Sequence, residues 1–285
     1  MFDRSTHRIT THKTFRYGPL VSVRPLKGVH GCERMIMLHE IRRTNHLLYR
    51  FDHIQDAVAR RRVFDRLMTI ARHNHAHILP IEHVGYDDTG RLCVVTEYPG
   101  NQDGLVTLPD LLEARGGTLD VPESTRLISQ LLVTSVHASE HGIVHADFEP
   151  EEILIDRHGC PLVELFGLEQ ALRPSRGEQL ALAEQTRSIA RLGLRLIVGT
   201  ANASDAGDLA LVQKRLDRAW DAWFRYALDP VGGFDTPTMA LDSLPGSPGQ
   251  SRVITELKPA SPPARKRLGV PSFRRAVQRG TRGSE

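Results

Sequence analysis

The chain has 285 residues, 37 Lys and Arg against 34 Asp and Glu, and a 40% hydrophobic content, enough apolar material for one sizeable folded domain with a tail. Its three cysteines, Cys32, Cys93 and Cys160, lie far apart with no CxxC pair, which argues against a disulfide framework or zinc knuckle and points to a reducing compartment. No early apolar stretch resembles a signal peptide and no uncharged apolar run of about 18 residues occurs, so a cytoplasmic protein without a transmembrane segment is expected.

Residues 1–15 are polar, without a strong period, and read as an N-terminal arm with at most one edge strand. From Tyr17 the pattern turns β-like: Leu20 to Val23, Arg34 to Leu38 and Leu47 to Phe51 are short apolar runs separated by turn residues. Gly28 and Gly31 lie between the first two, where an ordinary hairpin turn accounts for both. Ala57 to Arg72 has Val58, Phe64, Leu67, Met68 and Ala71 near helical spacing and predicts an amphipathic helix. His73, His75 and His77 alternate and would share one face of an extended segment, as a metal trio needs. With no acid or Cys nearby they read as loop histidines.

Ile78 to Ile81 with Val84 to Tyr86, a turn at Asp87 to Gly90, and Leu92 to Tyr98 predict a hairpin. A linker to Val106 and a short helix from Leu108 to Glu113 follow. Pro122 to His141 predicts a longer amphipathic helix, with Pro122 in its first turn and Gly142 beyond its end. Next comes the most informative stretch, His145 to Gly167, reading HADFEPEEILIDRHGCPLVELFG. It is a polar loop centred on Asp147 and closed by Pro150, then two short apolar runs, Ile153 to Ile155 and Pro161 to Val163, joined by a turn-forming Asp-Arg-His-Gly.

This stretch resembles the catalytic loop and metal-binding segment of eukaryotic-type serine/threonine protein kinases, which read H-R-D-L-K-P-E-N-I-L and D-F-G. His145, Asp147, Pro150, Glu151, Ile153, Leu154, Phe166 and Gly167 stand in register. The resemblance implies an α+β, bilobal fold: a small antiparallel β N-lobe with one helix over residues 16–98, and a mainly α C-lobe over 99–244. It assigns Asp147 to the catalytic base, Gly28 and Gly31 to the glycine-rich loop, Arg50 to the nucleotide-binding Lys, and Thr96, Glu97 and Tyr98 to the gatekeeper and hinge. ATP is thereby a candidate ligand.

The departures fall on the residues that handle phosphate and metal. Ala146 stands for the loop Arg, Glu149 for the phosphate-contacting Lys, Glu152 for the metal-binding Asn and Leu165 for the metal-binding Asp, while Arg66 takes the place of the helix Glu. A unit-charge contact at about 5 Å is worth roughly 3 kcal/mol at an effective dielectric near 20, so a Lys replaced by Glu149 shifts transition-state stabilisation by several kcal/mol. Leu165 cannot ligate Mg²⁺, which wants oxygen, and phosphoryl transfer depends on metal between the β- and γ-phosphates. The implied protein is a pseudokinase with no Mg²⁺, acting as a regulatory or scaffolding module on a protein partner. A competing reading is a divergent kinase in which Asp147 is the base and Glu152, with Glu164, holds the metal; strand alternation from Leu165 turns Glu164 away from the site. An Arg50–Arg66 pair would repel, or be remade through Asp65.

After Gly167, residues Leu168 to Ala183 lack the A-P-E motif that closes the family's activation segment, and Ser188 stands where an Asp braces the catalytic loop. Helices are expected over Glu184 to Val198, Asp208 to Leu228, with a buried stripe of Leu211, Leu216, Trp220, Trp223 and Phe224, and Pro237 to Leu244. From Pro245 to Glu285, nine Lys and Arg stand against two acids in a Pro-, Ser- and Gly-rich tail. That composition predicts disorder. Val270, Phe273, Ala276 and Val277 lie near one helical face among the arginines. A third reading makes this tail the working part, binding an acidic protein, nucleic acid or anionic membrane.

Overall fold

The computed structural model describes residues 14–52, 54, 56–100, 104–172, 177–199 and 217–246. The expected tail beyond Gly246, arm residues 1–13, and Leu211 and Leu216 of the expected stripe lie outside that set. The architecture is α+β, with a six-stranded antiparallel sheet in the first part and mainly helices in the second.

The sheet comprises β1 (Arg16–Tyr17), β2 (Leu20–Val29), β3 (Cys32–His39), β4 (Asn45–Phe51), β5 (Ile81–Tyr86) and β6 (Leu92–Glu97), in the order β1-β2-β3-β4-β6-β5. β2 and β3 join through His30 and Gly31, both at positive φ (51° and 71°), and β5 and β6 through the Asp87 turn, where Asp87 accepts the backbone N–H of Thr89 and Arg91. Helix α1 (Ala57–Ile70) crosses from β4 to β5; Asp56 caps it by accepting from the Val58 and Ala59 N–H groups.

Strand alternation divides the apolar residues of β4 between two faces. Leu48 joins Leu20, Met35, Met37, Cys93 and Val95 on one side, covered in part by Phe15 and Tyr17. Leu47, Tyr49 and Phe51 face the other way and pack with Val63 and Leu67 of α1 and with Leu154, Leu165 and Leu168 from beyond the sheet. The N-lobe core therefore extends without a break into the segment after the loop, a seam tightened by main-chain bonds in which Leu79 donates to the Val163 carbonyl and Val163 donates to the His77 carbonyl.

The helical part holds α2 (Leu108–Ala114), α3 (Val121–Glu140), α4 (Leu168–Leu172), α5 (Glu178–Val198), α6 (Arg218–Ala227) and α7 (Pro237–Asp242), with a small sheet β7-β8-β9 of Val106–Thr107, Ile153–Ile155 and Pro161–Val163. α3 and α5 pack closely at Gly193, where a Cβ would come within 2.5 Å of Ile128 Cδ1. α5 begins six residues before the expected Glu184, because Gln179 to Ala183 are good helix formers. The segment from Leu168 to Ala183, which lacks the A-P-E motif, contains α4 and the first turns of α5. Trp220, Trp223 and Phe224 are buried core, as the stripe predicts. No helix among the described residues is long and apolar enough to cross a membrane.

Candidate functional site

The loop from His145 to Glu152 lies between the lobes, on a base made by α5. Ser188 of α5 accepts the Phe148 backbone N–H at 2.8 Å and donates its hydroxyl to Asp147. Arg191, one turn on, lies 3.6 Å from Asp147 and 2.9 Å from Glu184. The loop brace that the missing Asp put in doubt is thus present in a hydroxyl form, and it engages the Asp147 carboxylate itself. His145 is fully buried, stacks on Phe166 at 4.9 Å, and accepts the Gly167 N–H on Nδ1. Burial holds this imidazole neutral, its pKa pushed down to about 4, so its proton sits on Nε2, 3.4 Å from Glu152.

Above the loop, the cleft-facing side chains of the sheet are not those expected. Cross-strand partners Arg34 and Tyr49 both reach down to Glu164: Arg34 Nη1 donates to Oε2 and Tyr49 Oη to Oε1, each at 2.5 Å. Arg34 is 5% exposed and the other two are fully buried. Desolvation raises the Glu164 pKa to about 7 despite the Arg34 charge beside it, and raises that of Tyr49. Arg50, expected at the nucleotide, projects from the opposite sheet face. It pairs there with Asp87 at 2.7 Å and Glu33 at 3.2 Å and lies over the Phe15 ring, on the wall of a 690 Å³ groove. The reason is the two-residue period: if Leu47 and Phe51 face the cleft, so does Tyr49, and Arg50 cannot.

Two further expectations change for local reasons. Glu164 does not turn away from the cleft, because Leu165 has φ of 46° and interrupts the extended alternation after β9. Leu165 itself is fully buried in the cleft-side core. Arg66 makes neither a repulsive pair with Arg50 nor a remade one: it donates to the Gly142 carbonyl at 3.0 Å, while Asp65 pairs with Arg61.

The glycine-rich-loop position closes onto the catalytic-loop position. His30, at the β2–β3 tip, places Nδ1 3.1 Å from Glu152 Oε1 with its side chain 5% exposed, and Lys27 reaches Glu151 at 3.5 Å. Gly28 is required where it sits, since a Cβ would meet the Cys32 carbonyl at 2.5 Å, and Gly31 supplies the positive φ of the turn. Burial pushes Glu152 up to about 7, with Glu149, Glu169 and Asp147 adding to the shift and His30 opposing it. Glu149 is raised by desolvation and then by Asp147 and Glu151. Between tip and loop is a pocket of 290 Å³ lined by His30, Gly31, Asp147, Glu149, Glu152, Glu169 and Leu172. Ala146, partly buried, presents only a methyl group. At the other end of the cleft, Thr96 is buried and donates to the Glu97 carbonyl, the Glu97 side chain is exposed, and Tyr98 packs on the cleft-side core.

These residues do not fit a magnesium–triphosphate. The pocket is walled by four carboxyl groups where a polyanion would have to enter, Leu165 is sealed in apolar core, and Arg34, the nearest buried cation, is taken by Glu164. The loop histidines pack on two others, His75 on His137 of α3 at 4.8 Å and His73 on His141, just past its end, at 4.3 Å. Among the described residues no group of three or more His, Cys, Asp or Glu is arranged to hold a metal ion.

No family model matches the chain. Among curated proteins, it is 30% identical over 125 residues to the serine/threonine-protein kinase PrkC of Bacillus subtilis, covering 44% of this chain and 18% of that protein. It is 30% identical over 138 residues to the DNA damage-responsive serine/threonine-protein kinase RqkA of Deinococcus radiodurans, covering 48% and 18%. The serine/threonine-protein kinase cds1 of Schizosaccharomyces pombe is 30% identical over 110 residues, covering 39% and 23%. The matched stretch thus spans less than a quarter of each of these relatives. Taken with the strand order, the α1 crossover and the His145–Gly167 loop, these similarities support a protein-kinase-like superfamily for this chain.

Proposed function

We propose that this protein-kinase-like domain works without phosphoryl transfer, as a regulatory or scaffolding binding module. One observation carries the reading: the cleft side of the sheet is closed by the buried Arg34–Glu164–Tyr49 cluster, at the place where the fold would present a cation to phosphate. Releasing Arg34 for a phosphate would strand Glu164 as a buried charge, a change that costs several kcal/mol. The acidic lining from Asp147 to Glu169 adds repulsion toward any nucleotide polyanion. Asp147, at the catalytic-base position of the loop, is held by Ser188 and Arg191.

The divergent-kinase alternative needs Glu152 and Glu164 as magnesium ligands. Glu164 is engaged by Arg34 and Tyr49, and Glu152 faces His30 and His145, so both would have to exchange partners. A thermal shift with ATP, with and without Mg²⁺ or Mn²⁺, separates the readings, because a ligand of the folded state raises the melting temperature. The module reading expects no metal-dependent rise. A rise that requires metal would overturn it, and a rise without metal would keep the module and add nucleotide as its ligand.

A further inference from the structure

The loop between α1 and β5 carries His73, His75 and His77 and meets two more histidines at the end of α3. Besides the two contacts given above, His137 lies 4.8 Å from His141 and His75 lies 5.6 Å from His77, ring centre to ring centre. Each ring therefore touches the next. Burial holds His73 below the ordinary imidazole value, and His141, His137, Arg66 and Arg72 add to the shift; burial, then His137 and His77, do the same at His75. All of these neighbours are cations or become cations on protonation. The acids nearest in sequence, Asp65 and Glu140, are exposed, and Asp65 is paired with Arg61. Hydrogen bonds fix where the protons sit. His75 Nδ1 accepts the His77 backbone N–H at 3.2 Å, so its neutral ring is protonated on Nε2. His141 Nδ1 donates to the His137 carbonyl at 2.9 Å and His77 Nδ1 to the Pro161 carbonyl at 3.1 Å. His137 Nε2 is buried without a hydrogen-bond partner, so in a charged ring its proton has no acceptor. A second proton on His75 displaces the N–H that closes the loop's own turn, and a charge on any ring faces like charges beside it.

We propose that this histidine cluster is an acid-released clasp between the lobes: neutral rings stack and hold the loop on the end of α3, and protonated rings repel and let it lift away. The clasp spans the lobes because the loop leads from α1 into β5 of the sheet, whereas α3 belongs to the helical part. The main-chain bonds of His77 and Leu79 with Val163 involve no titrating group. The sheet therefore stays docked there, and what opens is the turn from His73 to His77. Proton counting gives the direction. A released histidine binds its proton more readily than a stacked one, so the contact is complete above the ordinary histidine value of about 6.5 and is lost as pH falls below it. The module then has a closed junction at neutral pH and a looser one in acid.

The test is amide hydrogen exchange of the full chain at about pH 7.5 and about pH 5.5, corrected for the pH dependence of exchange itself. The reporters are the His77 and Ile78 amides, both accepted by His75, with the amide of buried Val94 in β6 as reference. In acid, protection at the reporters should fall about tenfold or more while Val94 holds. His137→Gln/His141→Gln removes the two charges facing the loop and should leave a fall of less than about threefold. His141→Lys, at an exposed position, keeps a permanent charge and should lower protection at the reporters already at about pH 7.5. Equal protection at both pH values in the wild type would overturn the proposal. So would an equal loss at Val94, an acid effect of full size in the double variant, or wild-type protection in His141→Lys. The readout involves neither nucleotide nor phosphate transfer, so it stands or falls apart from the reading of the cleft.

Discussion

Glu164 is the residue on which the cleft turns. It is a buried carboxylate with two partners, so removing one partner leaves an uncompensated charge or an unsatisfied acceptor. Arg34→Met should destabilise the fold by about 3–5 kcal/mol, while Arg34→Met with Glu164→Leu should recover most of that loss, because replacing a buried ion pair by apolar residues is often close to neutral. Denaturant midpoints of the two variants check this, and equal losses would mean that Glu164 does not depend on Arg34. Glu152 carries a pH prediction. Its folded pKa, near 7, lies above the ordinary glutamate value, so the folded state holds the extra proton. The stability this gives is complete below the unfolded pKa and is lost as pH rises through about 7. His145 runs oppositely, gaining stability for the fold between about pH 4 and its unfolded value, so the clean comparison is with Glu152→Gln. From pH 5 to pH 8 the wild type should lose unfolding free energy relative to that variant; a flat difference would contradict the burial assigned to Glu152.

At the scale of elements, the loop is fixed by its neighbours on both sides. Gly167 has φ of 77°, and a Cβ there would come within 2.6 Å of Ile143, so Gly167→Ala should cost about 2 kcal/mol or more through strain and overpacking together. Ser188→Ala should cost about 1–2 kcal/mol, since the buried Phe148 N–H loses the hydroxyl that accepts it; Ser188→Asp should restore the brace, and both are read from chemical denaturation. The β8–β9 hairpin was legible residue for residue, because two short apolar runs around Asp-Arg-His-Gly permit little else. Helices α1, α2, α3 and α7 were legible within two residues for the same kind of local reason. The cleft chemistry was less so. Arg34 and Glu164 are 130 residues apart in sequence, and nothing local marks them as partners. Tyr49 could have been found: counting by twos from Leu47 places it, and not Arg50, on the cleft face. Leu165 concealed Glu164 because a positive φ at a leucine has no sequence signal.

At the scale of the molecule, two lobes share one continuous apolar seam through Leu154, Leu165 and Leu168. An opening and closing of the cleft would have to break that seam as well as the Arg34–Glu164 and His30–Glu152 contacts. Buried apolar area on that scale resists opening by several kcal/mol, which suits a fixed binding surface better than a cycle of nucleotide entry and product release. The most direct measurement is incorporation of labelled γ-phosphate by the full chain, into itself and into a generic protein substrate, with Mg²⁺ and with Mn²⁺, beside Asp147→Asn. Background incorporation is expected, the same for both proteins. Metal-dependent incorporation by the wild type that Asp147→Asn abolishes would contradict it.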